Sequence, residues 1–104
     1  MINQWVGIGN VTKDFEVKDI GETKLVNFRI AVNDRKDDDN TLFLNVTAFG
    51  QLAELSAQFL GRGSKVGIVG RLQIRKKEEK EYTEVVAEKI EFLTPKETDP
   101  YDFI

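Results

Sequence analysis

Two phenylalanines stand at alternating positions of an otherwise polar face, where they could stack on a flat ligand. Phe43, Asn45, Thr47 and Phe49 are spaced two residues apart, and side chains with this spacing share one side of a β-strand. Stacking of an exposed aromatic ring on an unpaired nucleic-acid base contributes about 1–3 kcal/mol per base, whichever base it is. Outward aromatic residues also pack against other elements or subunits, so this alternative stays open for both rings.

Basic residues concentrate in the segment that follows these phenylalanines. Residues 60–80 contain seven basic and two acidic residues, hence a local charge of +5, whereas the whole chain has a net charge of −3. Lysines and arginines on one face can follow a phosphate backbone, and such binding weakens as salt rises. A solvated hairpin arm is the alternative for residues 75–77. The basic face would be formed by Arg71, Gln73, Arg75 and Lys77.

The sequence contains no cysteine and no histidine. Their absence removes thiolate and imidazole metal sites and the nucleophile systems that depend on histidine. We therefore expect a protein that is not an enzyme and binds no metal or cofactor. No apolar run reaches the roughly 20 residues of a membrane span, and the first residues lack the pattern of a signal peptide. We expect a cytoplasmic protein without membrane contact.

The elements that would position these side chains are five strands and one short helix, in a single domain of 104 residues. Residues 51–60 place Leu52, Leu55, Ser56 and Phe59 at helical spacing, and residues 61–63 (GRG) follow as a helix stop. Three strands, a helix and two strands form the order of an OB-fold, an all-β, five-stranded Greek-key barrel with one short α-helix between strands 3 and 4. The predicted strands are residues 5–11 with a continuation at 15–18, then 25–33, 41–49, 65–76 and 82–93.

Alternation along the strands also assigns the core. Trp5 is expected to pack, because a tryptophan usually buries its ring; a contact with another subunit or with the ligand stays open as the alternative. The predicted core contains Val26, Phe28, Ile30 and Val32 of the second strand, Leu42, Leu44, Val46 and Ala48 of the third, and Val66, Ile68, Gly70, Leu72 and Ile74 of the fourth. The predicted outward set of the second strand is Asn27, Arg29, Ala31 and Asn33.

Short motifs are spread over nearly the whole domain. They are Asn3 and residues 9–14 (GNVTKD), 27–32 (NFRIAV), 48–54 (AFGQLAE), 60–66 (LGRGSKV), 70–72 (GRL) and 82–87 (YTEVVA). In this order and spacing they resemble the bacterial single-stranded-DNA-binding proteins, a family of OB-fold coat proteins that phages and plasmids also carry. No single motif is decisive, but the combination is specific.

The resemblance implies sequence-independent binding and protection of single-stranded DNA in replication, recombination and repair. Phe43 and Phe49 fall on two positions where the family places stacking aromatic rings. Two further stacking positions carry basic residues instead: one falls at Arg35 and Lys36, the other at Lys77. We therefore expect weaker stacking and a stronger salt dependence than is typical of the family. The predicted DNA-binding set is Asn27, Arg29, Arg35, Lys36, Phe43, Asn45, Phe49, Arg71, Gln73, Arg75 and Lys77.

The resemblance extends to residues 95–104, which we expect to form a short acidic tail after a domain of residues 1–94. The end of this tail is similar to the tip by which family members recruit replication and recombination proteins, although the usual Pro-Phe ending and the long linker are missing. A frayed terminus without a role is the alternative. The predicted partner-binding residues are Asp99, Tyr101, Asp102, Phe103 and Ile104.

Self-association is expected on two grounds. A first strand at the edge of the barrel would expose unpaired backbone groups, which a second copy could cover. Members of the family that this sequence resembles are usually homotetramers. The resemblance therefore implies a homotetramer, with a dimer as the next choice.

Two other binding functions remain open. The same face could serve an OB-fold adaptor of the replication machinery that binds a protein, or an OB module that binds RNA. Binding of oligo-dT at low salt separates the first of these from a DNA-binding protein, and competition by ribose oligomers identifies the second.

Overall fold

The structure, a computed structural model, describes residues 2–33 and 41–93, with all side chains in these ranges except those of residues 13–15. It contains five strands and one helix in the predicted order. The elements are β1 (Trp5–Ile20), β2 (Thr23–Asn33), β3 (Thr41–Phe49), α1 (Gln51–Phe59), β4 (Lys65–Lys77) and β5 (Lys80–Phe92). The helix lies between strands 3 and 4, and the predicted OB-fold is confirmed.

The five strands form a closed barrel in the order β1-β2-β3-β5-β4. The long first strand closes it, because residues 5–10 pair with β4 and residues 10–20 pair with β2. The register shifts between Val11 and Phe15, which is the bend predicted within this strand. The sequence predicted that β1 lies at the edge of the barrel, but β1 pairs with both β2 and β4. Among the described strands, however, residues 5–9 pair with β4 alone, so the other side of this half has no strand partner there.

The core lies inside the barrel and is built mainly from aliphatic side chains. The predicted inward face of β2 is confirmed, since Val26, Phe28 and Ile30 are buried and Val32 packs against the core from a partly buried position. Valines and isoleucines fit a closely curved sheet because their branched side chains pack well on its pleated surface. The fully buried large side chains include Val26, Ile30, Val46, Val66, Ile68 and Val85.

Four residues depart from the predicted faces. Leu42, Leu72 and Ile74 were expected in the core but are exposed, Ile74 by 64%. Leu72 and Ile74 lie beyond Gly70, the last residue of β4 that pairs with β1, so the β4–β5 hairpin extends past the closed part of the barrel there. Leu42 lies near the start of β3, next to the undescribed residues 34–40. Thr47 was expected outside and is fully buried, for reasons that concern the site described below.

The helix contacts β2, β3 and β5 through a face that differs slightly from the predicted one. Ser56 is buried as predicted and Ala53 is buried in addition, whereas Phe59 is 44% exposed and pairs with Phe92 at a centroid distance of 5.9 Å. The predicted glycine stop is wrong in its detail. The helix ends at Phe59, and its C-cap is Leu60, whose backbone is extended with φ −97° and ψ 146°. No helix in residues 2–33 and 41–93 has the length and apolar content needed to cross a bilayer.

Trp5 packs as expected, and Gly7 makes room for it. The Trp5 ring is partly buried against the core cluster. A Cβ atom on Gly7 would overlap the Trp5 ring atoms Cη2 and Cζ2. Because residues two apart on a strand share a face, only a residue without a side chain at position 7 lets the indole fold along the sheet.

Gly70 allows the closest backbone approach in the barrel wall. The β4–β5 register shifts between Val69 and Gly70, as expected for a bulge that bends the strand. A Cβ atom at Gly70 would overlap the backbone oxygen of Val86 and would lie 3.0 Å from Cγ1 of Val85. Backbone cannot move aside as a flexible side chain can, so this position requires glycine.

We therefore expect Gly70→Ala to lower the free energy of unfolding by about 1–3 kcal/mol, the usual effect of overpacking. Gly67→Ala is the matched control on the same strand, because its new Cβ would meet its nearest atoms at ordinary contact distances of 3.6–3.9 Å. Urea denaturation of both variants gives the comparison. Equal stability of the two variants would contradict the close approach at Gly70.

Candidate nucleic-acid interface

Outward side chains of four strands meet in one continuous row across the barrel. Arg29 pairs with Asn45 between β2 and β3, Asn45 pairs with Glu84 in the parallel β3–β5 contact, and Glu84 pairs with Gln73 between β5 and β4. Residues in register across neighbouring strands point to the same side of the sheet. Predicted site residues from distant parts of the chain are thereby placed side by side.

A groove with a volume of about 520 Å³ lies over this row. Its lining includes four cations and two carboxylates, so its charge is positive although the chain as a whole is acidic. The cations come from three different strands. The lining residues are Lys18, Arg29, Arg75 and Lys77, the acids Glu16 and Glu84, the amides Asn27 and Asn45, and the aromatic residues Phe28 and Tyr82.

The two predicted stacking rings flank this groove. Phe43 is 54% exposed and Phe49 is 45% exposed, so the prediction that both face outward is confirmed. They stand six positions apart on β3, roughly 20 Å along the strand, and Asn45 of the groove lies between them. Phe49 stands directly opposite Leu25, and the Arg29 guanidinium lies 5.5 Å from the centroid of the Phe43 ring. This second contact is a cation–π arrangement that places a positive charge beside the Phe43 ring.

A buried polar network forms the floor of the groove. The Glu84 side chain is almost fully enclosed, yet its carboxylate has three partners. Gln73 Nε2 donates to Oε1 at 2.6 Å, Thr47 Oγ1 donates to Oε2 at 3.1 Å, and Arg75 Nε lies 3.7 Å from Oε1. Burial of an ionised carboxylate is expensive unless such partners satisfy it. The network therefore explains how an acid can occupy the floor of a cationic groove.

The same network explains why Thr47 is buried. Its hydroxyl lies 2.7 Å from Asn27 Oδ1 and 3.1 Å from Glu84 Oε2. A hydroxyl carries one proton and can donate it to only one acceptor at a time. Because amide oxygen and nitrogen are assigned from the network, the Asn27 amide turned by 180° would donate to Thr47 and free the hydroxyl for Glu84. Thr47 is thus an outward side chain covered by its own hydrogen-bond partners.

The structure brings most of the predicted DNA-binding residues together, with one exception among those that it describes. Gln73 reaches the groove floor through Glu84, but Arg71 does not line the groove and stands opposite the buried Val86. The predicted residues that line the groove are Asn27, Arg29, Asn45, Arg75 and Lys77. The predicted DNA-binding residues Arg35 and Lys36 lie outside the described residues. So do the predicted partner-binding residues Asp99, Tyr101, Asp102, Phe103 and Ile104.

Sequence reasoning missed Tyr82, Lys18 and Glu84, all of which line the groove. Tyr82 is exposed and stands directly opposite Arg75. Tyr82 and Glu84 lie two residues apart on β5 and therefore face the same side of the sheet. The same alternation that predicts the faces of β2, β3 and β4 would have predicted both residues on the outward face of β5. Lys18 lies in the second half of β1, to which the alternation argument was not applied, and this half pairs with β2.

Comparisons with known proteins agree with this fold. The family described as the Single-strand binding protein family matches residues 2–93. The single-stranded DNA-binding protein 1 of Staphylococcus aureus strain MSSA476 is 36% identical over 109 residues, which cover 95% of this chain and 70% of that protein.

Two solved structures have the same fold over most of the chain. The second single-stranded DNA-binding protein of Mycobacterium smegmatis has a TM-score of 0.73 at 29% identity, over 86% of this chain and 87% of that one. The wild-type single-stranded DNA-binding protein of Thermus aquaticus has a TM-score of 0.75 at 30% identity over 94% of this chain, which spans only 43% of the Thermus chain. From the family match, the relatives and the shared barrel, we conclude that this chain belongs to the single-strand binding protein family.

Proposed function

We propose that this chain binds single-stranded DNA without reading its sequence, and that it coats and protects the strand during replication, recombination and repair. The observation that carries the proposal is the exposure of Phe43 and Phe49 on either side of a cationic groove. The relatives named above are single-stranded DNA-binding proteins, which supports the same ligand here.

Two kinds of contact contribute to binding, namely phosphate contacts with the groove cations and stacking of bases on the aromatic rings. Phosphates meet the groove cations, among them Arg29, Arg75 and Lys77, and such contacts fix the strand without sequence information. Bases splayed from the backbone stack on Phe43 and Phe49, and stacking accepts every base. The spacing of the two rings suits a DNA strand that runs along β3 over several nucleotides.

The acidic character of the whole chain does not oppose this function. The net charge is −3, but charges farther apart than a Debye length of about 8 Å are largely screened at physiological salt. A phosphate in the groove therefore responds mainly to the four cations and two acids that line it. We propose that the strong salt dependence expected from the basic residues follows from this local balance.

We further propose that the chain assembles with itself, as a homotetramer in the first instance and a dimer otherwise. Val6 and Ile8 alternate on the outward side of β1 and are 66% and 54% exposed. Both residues lie in the half of β1 that pairs only with β4 among the described strands. An apolar strand with one unpaired side favours association with another copy.

Residues 95–104 are proposed to form an acidic tail that follows a DNA-binding domain of residues 1–94. In this proposal the aspartates contact basic rims on replication or recombination proteins in the cytoplasm, while the apolar end fills a pocket. The support is the sequence of the tail, which ends in Asp102, Phe103 and Ile104.

Replacement of the stacking rings tests the DNA-binding proposal. We expect Phe43→Ala and Phe49→Ala each to weaken oligo-dT binding by about 1–3 kcal/mol, because each variant removes one stacking platform. Fluorescence anisotropy of a labelled oligonucleotide gives the affinities, and thermal unfolding checks the fold. Phe59→Ala is the matched control, since Phe59 is exposed to a similar degree but lies on α1 and not on the outward face of β3 that carries both rings.

The outcomes of this experiment separate the competing functions. A double variant that binds like the wild type would rule out stacking at these positions. Absence of wild-type binding at low salt would favour the protein adaptor instead. Ribose oligomers that outcompete deoxyribose oligomers would favour an RNA ligand.

Deletion of the last six residues tests the proposed tail. We expect the shortened chain to bind oligo-dT with unchanged affinity, because the groove and both rings remain. We expect it to lose capture of replication and recombination proteins in a pull-down from host lysate. Capture that is equal for the full and shortened chains would leave the tail without this role.

A further inference from the structure

The floor of the groove contains a carboxylate where a phosphate-binding surface would be expected to avoid one. Glu84 is only 4% exposed, and its Oε1 atom faces both Gln73 Nε2 at 2.6 Å and Arg75 Nε at 3.7 Å. Its Oε2 atom accepts from Thr47. Both oxygens are thereby engaged within the protein, so the side chain is fixed and faces the strands on either side of β5.

Arg75 is a groove cation that lies beside a buried acid. The Arg75 side chain is 46% exposed while that of Glu84 is 6% exposed. The second acid of the groove, Glu16, contacts Lys18 at 3.5 Å, but both of these side chains are more than half exposed. Water screens such a surface pair, whereas a buried acid keeps its influence on the cation beside it.

The geometry points to Glu84 as a positioning residue that holds Arg75 in the groove and offsets its charge before DNA arrives. This inference rests on the proposed function. A cation that is already compensated neutralises a phosphate less completely, so fewer of the counterions condensed on the strand are released when that phosphate binds. Arg75 then orients the strand but contributes less to the salt-dependent affinity than a cation without a buried partner. Glu84 thus sets the affinity through Arg75.

The test is the neutral, equally sized variant Glu84→Gln. Its amide oxygen can still accept from Gln73, so the floor keeps its shape while the charge is lost. We expect the logarithm of the oligo-dT association constant to fall more steeply with the logarithm of salt, by about 0.7, the slope of one additional phosphate contact on a single strand. The variant then binds more tightly than the wild type at low salt. This advantage should shrink by about threefold between roughly 50 and 200 mM salt.

Two further variants make the result specific to the Glu84–Arg75 pair. Arg75→Gln should lower the slope by about 0.7 in the Glu84→Gln protein, but by clearly less in the wild type. Glu91→Gln changes the net charge equally, yet Glu91 pairs with Lys89 and does not line the groove. We expect it to leave the slope unchanged.

Two results would overturn the inference while leaving DNA binding in place. The first is a salt slope of oligo-dT binding that is unchanged or shallower in Glu84→Gln. The second is a steeper salt slope that persists when Arg75 is also replaced. Failure of the wild type to bind oligo-dT would overturn the proposed function as well.

If Glu84→Gln does not fold, the comparison moves to the wild-type background. There Arg75→Gln should reduce the slope less than Lys77→Gln, because Lys77 lines the groove without an acid partner among the described residues, and equal reductions would reject the inference.

Discussion

The binding surface depends on a short parallel contact between β3 and β5. Only Asn45, Val46 and Thr47 pair across it, with residues 84–86 of the fifth strand. This contact joins the β1–β2–β3 part of the sheet to the β4–β5 hairpin and so closes the barrel. It also alternates inward and outward: Val46 and Val85 meet in the core, while Asn45 and Glu84 meet in the groove. The interaction that completes the core therefore also assembles the site.

A groove built in this way reconciles an acidic chain with a polyanionic ligand. Each acid in the groove lies beside a cation, Glu16 beside Lys18 and Glu84 beside Arg75. The two pairs differ in burial, and only the buried carboxylate is fixed by hydrogen bonds from two neighbouring strands. Stacking on Phe43 and Phe49 is independent of this charge balance. Affinity can then be adjusted through the floor of the groove without changing the rings that accept the bases.

Much of this fold follows from local patterns. The alternation of residues 41–49 predicts the bounds of β3 and the outward direction of Phe43 and Phe49, because both depend only on the strand period. The alternation does not predict how much of a strand other elements cover, so Leu72 and Ile74 are exposed where the hairpin leaves the barrel. Nor does it predict the contact of Thr47 with Glu84, which lies 37 residues away in sequence. The turn at Glu78 and Glu79 has positive φ at both residues, and this pair lacks the glycine or asparagine that usually indicates such a turn.

The most direct test of the surface is to map the bound strand on the protein itself. Amide and aromatic chemical shifts of the isotopically labelled chain, recorded by NMR during titration with oligo-dT, report which residues the strand contacts. We expect the largest changes at Phe43, Phe49 and Tyr82, with the neighbouring groove residues following them. Changes centred on α1 and on the Phe59–Phe92 pair, with the groove unaffected, would contradict the site.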